Sequence, residues 1–368
     1  MTNQKVFFYN TLNWTKIYAV FLNSKNKIKI ELKQTTGLFY TCNVDSEKFD
    51  FVFFLNEYGV HTMYVAFNKY CFIFRPSGYT YNGVICLEPF IANTNISVQT
   101  TNITFSFRQE QNKIIYIWTP SDYNQNFNSK KYGVLYMFDG QNLFNNNSTI
   151  YGSWHIPQVM ELIGNYIVVG IDNGDRYRDL QLTPNIGKIK NCYAEMFSSG
   201  VGIEFAEFLV NVIVPYINSH YNVFTDKSHT AICGSSSGGL ESFYAGVVYN
   251  KIFGTLGSFS PAFSLYENYV WKNFLNNIDV KNIPKIYLYS GYGDIFEREI
   301  YPYADITYKQ LTKNGCKNNN LKFDFIEDNP HNEACWSGIF IKFAGMLNQL
   351  IWFYWLLNIN RLIYRYIK

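Results

Sequence analysis

The residues best suited to chemistry are three consecutive serines between glycines, in residues 234–239. Only Ser236 has a glycine two positions before it and another two positions after it. An apolar run precedes this Gly-x-Ser-x-Gly motif, and an apolar helical pattern follows it. A strand that turns directly into a helix strains the central serine, and glycines at the flanking positions avoid backbone collisions. The pattern predicts Ser236 as an exposed nucleophile, with a Ser/Gly-rich loop as the alternative.

A serine hydroxyl is a poor nucleophile until a base takes its proton. His331 follows the last predicted strand, and it alone lies at a strand's carboxyl end downstream of the serine, as the order serine, acid, histidine requires. We therefore predict His331 as the general base rather than a surface-loop histidine. The other histidines lie before the serine strand, in the N-terminal block or early in the chain: His61, His155, His220 and His229.

The acid of such a set orients the imidazole and stabilises its cation. It should follow the strand before last, which is predicted at residues 285–289. Asp294 comes soon after that strand and is the predicted acid. Glu297 and Glu299 are its rivals, because the geometry of the turn is not fixed by the sequence. The alternative without a catalytic role is that Asp294 is a solvated loop carboxylate.

Attack of a serine on a carbonyl group also needs backbone N–H groups aimed at the developing oxyanion. Ser237 directly follows the nucleophile at a helix start and should supply one of them. The second should come from the loop after the third strand of this domain, where Gly140 allows a close turn and Gln141 is the predicted donor.

Alternating apolar strands and helices after residue 104 predict a mostly parallel sheet with helices on both faces. Short strands separated by turns before residue 100 predict a small β-sandwich. We therefore expect a β-sandwich domain over 1–100, with a linker at 93–101. An α/β domain follows over 101–346, and an apolar and basic extension over 347–368.

The composition excludes several partner classes. The net charge is +3 without a concentrated basic run, which argues against nucleic acid. Seven scattered cysteines without Cys-x-x-Cys predict buried thiols rather than disulfides or a zinc site. The N-terminus lacks a signal-peptide core, so we expect a cytoplasmic protein. For the extension, packing onto protein is favoured over contact with a membrane surface, because its apolar run is short. A dimer contact stays open, and the oligomeric state is not predicted.

The N-terminal block loosely resembles the starch-binding type of carbohydrate-binding module. The resemblance is carried by residues 6–10 with Trp14, by 17–19 and by 53–62. It implies that Trp14 could stack on a sugar ring, although a core position for this side chain is slightly favoured.

Residues 104–343 resemble the putative-esterase family of α/β-hydrolases, which includes enterochelin esterases and relatives of esterase D and feruloyl esterases. The matching segments are 135–144, 167–174, 233–240, 257–263 and 331–336. The resemblance implies an α/β-hydrolase fold and a triad at Ser236, His331 and, less directly, Asp294, where the family often has Glu. It also implies no metal and no organic cofactor. Residues at motif positions should order the loops around the site: Asp139, Asn142, Asp172 and Asn332.

The leading hypothesis is a serine carboxylic-ester hydrolase that works through an acyl-enzyme. Its substrate would be a small-molecule ester, either glycan-linked, as the N-terminal block suggests, or of the siderophore type. Residues 175–200 match the family poorly and should shape the pocket. One alternative is acyl transfer to a sugar or other alcohol. Another is a carbohydrate-binding protein with an inactive hydrolase domain.

Overall fold

The chain divides into two units, Met1–Ile96 and Ser97–Lys368. The computed structural model describes residues 3–10, 14–23, 26–34, 39–45, 48–49, 51–59, 65–66, 73–74, 98–107, 109–125, 130–144, 154, 156–173, 178–327 and 329–347. His61, His155 and all but the first residue of the predicted C-terminal extension lie outside these ranges.

The N-terminal unit consists of two four-stranded sheets. Its strands are β1 (Asn3–Tyr9), β2 (Ile17–Leu22), β3 (Lys27–Glu31), β4 (Lys33–Gln34), β5 (Phe39–Asp45), β6 (Phe51–Asn56), β7 (Val65–Ala66) and β8 (Ile73–Phe74). Their orders are β4-β5-β1-β8 and β3-β2-β6-β7. Alternate residues of β1 and β5 share one apolar cluster with alternate residues of β2 and β6, as the period of two in a half-buried strand dictates. This is the arrangement of a small β-sandwich.

The second unit is built on an eight-stranded sheet. Its strands are β9 (Val98–Phe107), β10 (Gln109–Trp118), β11 (Gly133–Phe138), β12 (Tyr166–Ile171), β13 (Thr230–Ser235), β14 (Thr255–Phe259), β15 (Lys285–Gly291) and β16 (Leu321–Ile326). Their order is β16-β15-β14-β13-β11-β12-β10-β9, and the six strands from β11 onward are parallel. The antiparallel hairpin β9–β10 closes one edge. The C-terminal boundary of the linker predicted at 93–101 is wrong. β9 begins at Val98, so residues 98–101 pair with β10 in the sheet.

Helices follow the parallel strands, as short crossover connections require. They are α1 (Ile156–Ile163), α2 (Arg178–Gln181), α3 (Ala194–Phe197), α4 (Gly202–Phe208), α5 (Val214–His220), α6 (Ser237–Val248), α7 (Asn268–Asn276), α8 (Ile295–Lys313) and α9 (Glu333–Ala344). A π-helical turn, Leu209–Ile213, joins α4 to α5 without interrupting the helical backbone.

Three consecutive residues of β15 show why the middle of this strand is hydrophobic on both sides. Ile286 and Leu288 lie in the cluster that contains the inner faces of α4 to α8. Tyr287, between them, points the other way and packs on Phe343 of α9, with ring centroids 6.2 Å apart. Both faces of the strand are therefore covered, and the predicted mostly parallel sheet flanked by helices is confirmed.

Among the described residues, one helical run, Ala194–His220, is long and apolar enough by length and composition to cross a membrane. Its inner side chains, including Phe205, Leu209 and Ile217, are fully or almost fully buried in the main core. The same composition is expected of a core helix that packs on a sheet.

Candidate active site

Ser236 lies between the end of β13 and the start of α6, in the conformation that the motif predicts. Its φ of 56° and ψ of −124° fall in a region of backbone conformation that residues with a side chain rarely adopt. Its N–H donates to the carbonyl of Phe259 at 2.9 Å, and its own carbonyl accepts from Ala262 at 3.0 Å. A Cβ on Gly234 would lie 2.4 Å from the carbonyl oxygen of Gly238. The glycine spacing is therefore a steric requirement of this turn.

His331 is paired with a buried carboxylate. Its Nδ1 lies 3.1 Å from Oε1 of Glu297, whose side chain is fully buried. The other oxygen of Glu297 accepts from the N–H of Gly291 at 2.9 Å and from the hydroxyl of Ser290 at 3.1 Å. A carboxylate fixed in this way can orient an imidazole through Nδ1 and leave Nε2 to take a proton.

The prediction of Asp294 as the partner of the imidazole is wrong, and its rival Glu297 occupies that position. Asp294 caps α8, with Oδ1 accepting from the N–H of Glu297 at 2.9 Å. Its Oδ2 accepts from the backbone N–H of His331 at 2.7 Å. The spacing Asp-x-x-Glu at a helix start could have indicated the capping role of Asp294, because an N-cap side chain accepts from the N–H of the third helical residue. Glu299, the other rival, instead accepts a hydrogen bond from the hydroxyl of Tyr193.

A chain of contacts joins the loop of His331 to the serine turn. The imidazole packs edge-on against Trp336, with ring centroids 4.9 Å apart. The indole N–H of Trp336 donates to the hydroxyl of Ser260 at 2.9 Å. Ser260 lies between Phe259 and Ala262, the two residues that hold the backbone of Ser236. Ser236 and His331 thus lie at the same edge of the sheet, beyond the carboxyl ends of the strands.

The two predicted oxyanion donors lie at helix starts on neighbouring strands. Ser237 is the first residue of α6, after β13, and Gln141 belongs to the 3₁₀ turn Gly140–Asn142, after β11. N–H groups in a first helical turn have no acceptor within the helix. A Cβ on Gly140 would lie 2.7 Å from the carbonyl carbon of Gly170, so this turn needs glycine. Their role as donors to an oxyanion remains a prediction.

Sequence reasoning missed Arg178, which lies in the poorly matching stretch 175–200. Its Nε and Nη2 donate to the two oxygens of Asp139 at 2.7 and 2.6 Å. Its Nη1 donates to Asp179 at 2.9 Å, and the same Asp179 oxygen accepts from the hydroxyl of Ser237 at 3.0 Å. Burial alone would lower the pKa of the guanidinium, but Asp139 and Asp179 outweigh it and raise that pKa. Nothing in the spacing of these residues marks them as partners.

Three of the residues predicted to order the loops make side-chain hydrogen bonds to other segments or to a helix start. Asp139 bonds Arg178, the amide of Asn142 donates to Glu333 at 3.0 Å, and Asn332 caps α9 by accepting from Cys335 at 3.0 Å. Burial raises the pKa of Glu333. For Asp172, the structure shows its backbone N–H donating to the carbonyl of Ile114 at 3.0 Å.

His220 and His229 lie away from this edge of the sheet. His220 stacks on Tyr216, and His229 bonds Asp226 just before β13, at the opposite end of the strand from Ser236. Trp14 is half-buried and stacks on Phe8 of the N-terminal core, with ring centroids 6.0 Å apart, so sugar binding there stays a prediction. Within the described part of the chain, no group of three or more His, Cys, Asp or Glu side chains could hold a metal ion.

A family model described as "Putative esterase" matches residues 107–304, just over half of the chain. The uncharacterized protein YbbA of Bacillus subtilis (strain 168) is 25% identical over 157 residues, which are 43% of this chain and 59% of that protein. The chain therefore spans less than two thirds of the length of this curated relative.

Solved structures share the fold at low identity. The enterobactin esterase FES from Shigella flexneri is 14% identical with a TM-score of 0.55, and the match covers 94% of this chain and 90% of that one. The siderophore hydrolase EstA from Aspergillus nidulans is 15% identical with a TM-score of 0.55, covering 71% of this chain and 99% of that one. A ferulic acid esterase is 18% identical with a TM-score of 0.51, covering 69% and 98%. These likenesses confirm the α/β-hydrolase fold of the second unit.

Proposed function

We propose that this chain, which belongs to the putative esterase family, is a serine carboxylic-ester hydrolase that works through an acyl-enzyme. One observation carries the proposal. A strained serine at a strand-to-helix turn shares its sheet edge with a histidine whose Nδ1 lies 3.1 Å from a fully buried carboxylate. Ser236 is the nucleophile, His331 the general base and Glu297 the acid that orients it.

Acylation begins when Oγ of Ser236 attacks the ester carbonyl and Nε2 of His331 takes its proton. The carbonyl oxygen becomes an oxyanion, for which the N–H groups of Ser237 and Gln141 are the available donors. Donors fixed in advance lower this barrier, because they need no reorganisation as the charge develops. When the tetrahedral intermediate collapses, the alcohol leaves with the proton from His331. A water molecule then attacks the acyl-enzyme by the same route and releases the acid.

Glu297 stabilises the imidazolium that forms during both steps. Because the carboxylate is fully buried, water screens its attraction for the cation only weakly. Its second oxygen is held by Gly291 and Ser290, so it does not have to move when the imidazole becomes charged. The pair therefore favours proton transfer from the serine at the moment of attack.

For the substrate we propose a small-molecule ester of the siderophore type. The support is the similarity to FES, which was solved in the presence of 2,3-dihydroxy-N-benzoyl-serine. This match covers 94% of the chain and so extends into the N-terminal unit. A glycan-linked ester is the second substrate to test, because of the carbohydrate-module resemblance of that unit.

The test is labelling with a fluorophosphonate, followed by a panel of p-nitrophenyl, siderophore-trilactone and acetylated-glycan esters. We expect adduct formation at Ser236 and at least a thousandfold loss of turnover in Ser236→Ala, consistent with about 10⁶ for loss of a catalytic serine. Ser242→Ala is a matched control, since Ser242 lies on α6, which begins directly after Ser236, is fully buried and has no bonded partner for its hydroxyl in the described structure. Equal turnover by Ser236→Ala and wild type would overturn the proposal. Product analysis with an added alcohol separates hydrolysis from acyl transfer.

A further inference from the structure

We propose that Arg178 is a positioning residue that holds both oxyanion donors in place through a single guanidinium. The inference rests on the proposed function and assigns Arg178 a role that neither the sequence motifs nor the family resemblance indicated. Two carboxylates, Asp139 and Asp179, transmit its effect to the two donor segments.

The first arm reaches the turn that carries Gln141. Arg178 donates to both oxygens of Asp139, at 2.7 and 2.6 Å. This bidentate geometry fixes the orientation of the carboxylate as well as its distance from the guanidinium. Asp139 has a φ of 57°, a left-handed conformation that is costly for a residue with a side chain. Its carbonyl accepts from the N–H of Asn142 at 2.8 Å and so closes the turn. Arg178 therefore stabilises the strained residue from which the Gln141 turn begins.

The second arm reaches the start of α6. Nη1 of Arg178 lies 2.9 Å from Oδ1 of Asp179, and that oxygen also accepts from the hydroxyl of Ser237 at 3.0 Å. Ser237 carries the other predicted donor N–H. The three nitrogens of the Arg178 guanidinium thus connect Asp139 with Ser237. These two residues follow the ends of different strands, β11 and β13, and are far apart in the chain.

The charge balance argues against Arg178 as a binding site for an anionic substrate. Two carboxylates surround one guanidinium, so the cluster is net negative. The Arg178 side chain is only 29% exposed, and its Nε, Nη1 and Nη2 all donate to these carboxylates. A lysine could not replace it, because an ammonium is a point charge without a planar fork.

The experiment compares Arg178→Lys, Arg178→Gln and Asp179→Asn with wild type in the full chain. Steady-state kinetics would use p-nitrophenyl acetate and the anionic mono-p-nitrophenyl succinate, beside the rate of fluorophosphonate labelling. Hydrogen exchange of the peptides that contain 139–143 and 236–240 would report local order without any turnover. Lys342→Gln is the control, because it removes a half-exposed ion pair with Asp324 between α9 and β16.

We expect kcat to fall about 10- to 100-fold in both Arg178 variants, since a displacement of about 1 Å near the chemistry can cost 10²-fold. KM should change by less than about twofold for both esters, because the donors act mainly on the transition state. Hydrogen exchange should be faster than in wild type for both peptides of the Arg178 variants. It should be unchanged for both peptides of Lys342→Gln. Asp179→Asn keeps the fold but weakens the charge contact, and should accelerate exchange mainly in 236–240.

Full activity of Arg178→Lys, a rise in KM confined to the anionic ester, or unchanged exchange in 139–143 would each overturn the inference. If wild type neither turns over esters nor is labelled at Ser236, the proposed function fails instead. The exchange data then still decide whether Arg178 holds the two segments.

Discussion

Replacing Glu297 with glutamine should inactivate the enzyme through the tautomer of His331. Oε2 of Glu297 accepts from Gly291 and Ser290, so the carbonyl oxygen of a glutamine would take that place. Its NH₂ group would then face Nδ1 of His331 at the present 3.1 Å. Nδ1 must become an acceptor, which puts the proton on Nε2 and leaves no base for the serine. A wrong-tautomer substitution of this kind costs about 10⁴ in kcat, or about 5 kcal/mol in the barrier.

The assay is kcat for a p-nitrophenyl ester, with the concentration of folded enzyme measured by circular dichroism. Asp294→Asn is the matched control, because within the described part of the chain the Asp294 side chain accepts from the backbone N–H groups of Glu297 and His331 and not from the imidazole. Asparagine keeps one acceptor oxygen but turns its NH₂ group toward the other backbone N–H, which should lower stability by about 1–3 kcal/mol and kcat by less than tenfold. If Glu297→Gln keeps more than a tenth of the activity while Asp294→Asn loses a thousandfold, the assignment of the acid is refuted.

Two further predictions concern stability. Glu241 is fully buried, and its carboxylate has no hydrogen-bond partner among the described residues; burial, followed by the charge of Glu204, raises its pKa well above the usual value. The folded state therefore holds the proton more tightly, and stability should fall above the unfolded pKa of about 4.3, by up to about 1.4 kcal/mol per pH unit. Denaturant unfolding at pH 5 and pH 8 should show a smaller pH difference in Glu241→Gln than in wild type, and equal differences would contradict this. Gly234→Ala should lose about 1–3 kcal/mol, because its Cβ would overlap the Gly238 carbonyl; Gly345→Ala, with its nearest contact at 3.4 Å, is the control, and equal thermal midpoints would refute the steric argument.

Local patterns predicted the parts of the fold that depend on neighbours in the chain. Apolar runs located the parallel strands, and the Gly-x-Ser-x-Gly spacing located the turn at Ser236. The carboxylate that contacts the imidazole was misassigned because position in the chain ranks Asp294 and Glu297 almost equally. What separates them is the direction of the first turn of α8, which points Glu297 into the sheet edge and leaves Asp294 at the cap.

Contacts between distant segments left less trace in the sequence. Arg178 and Asp139 are 39 residues apart, and Asn142 and Glu333 are 191 apart. Polar side chains at such separations find each other only when the sheet brings their loops together, so their types and spacing carry no signal. The start of β9 at Val98 was missed for a similar reason, since its polar residues are held by the ladder to β10 rather than by an apolar face.

The cap of α8 also couples two loops that meet at the sheet edge. Asp294 holds the backbone of both Glu297 and His331, and the N–H groups of Tyr292 and Gly293 donate to the carbonyl of Asn329 at 3.2 and 2.9 Å. Glu297 and His331 are thus linked to each other through the backbone contacts of Asp294 as well as through their own side chains. On warming, these two loops should move together. The catalytic rate would then decline before the protein unfolds, while the shape of the pH–rate curve would stay constant.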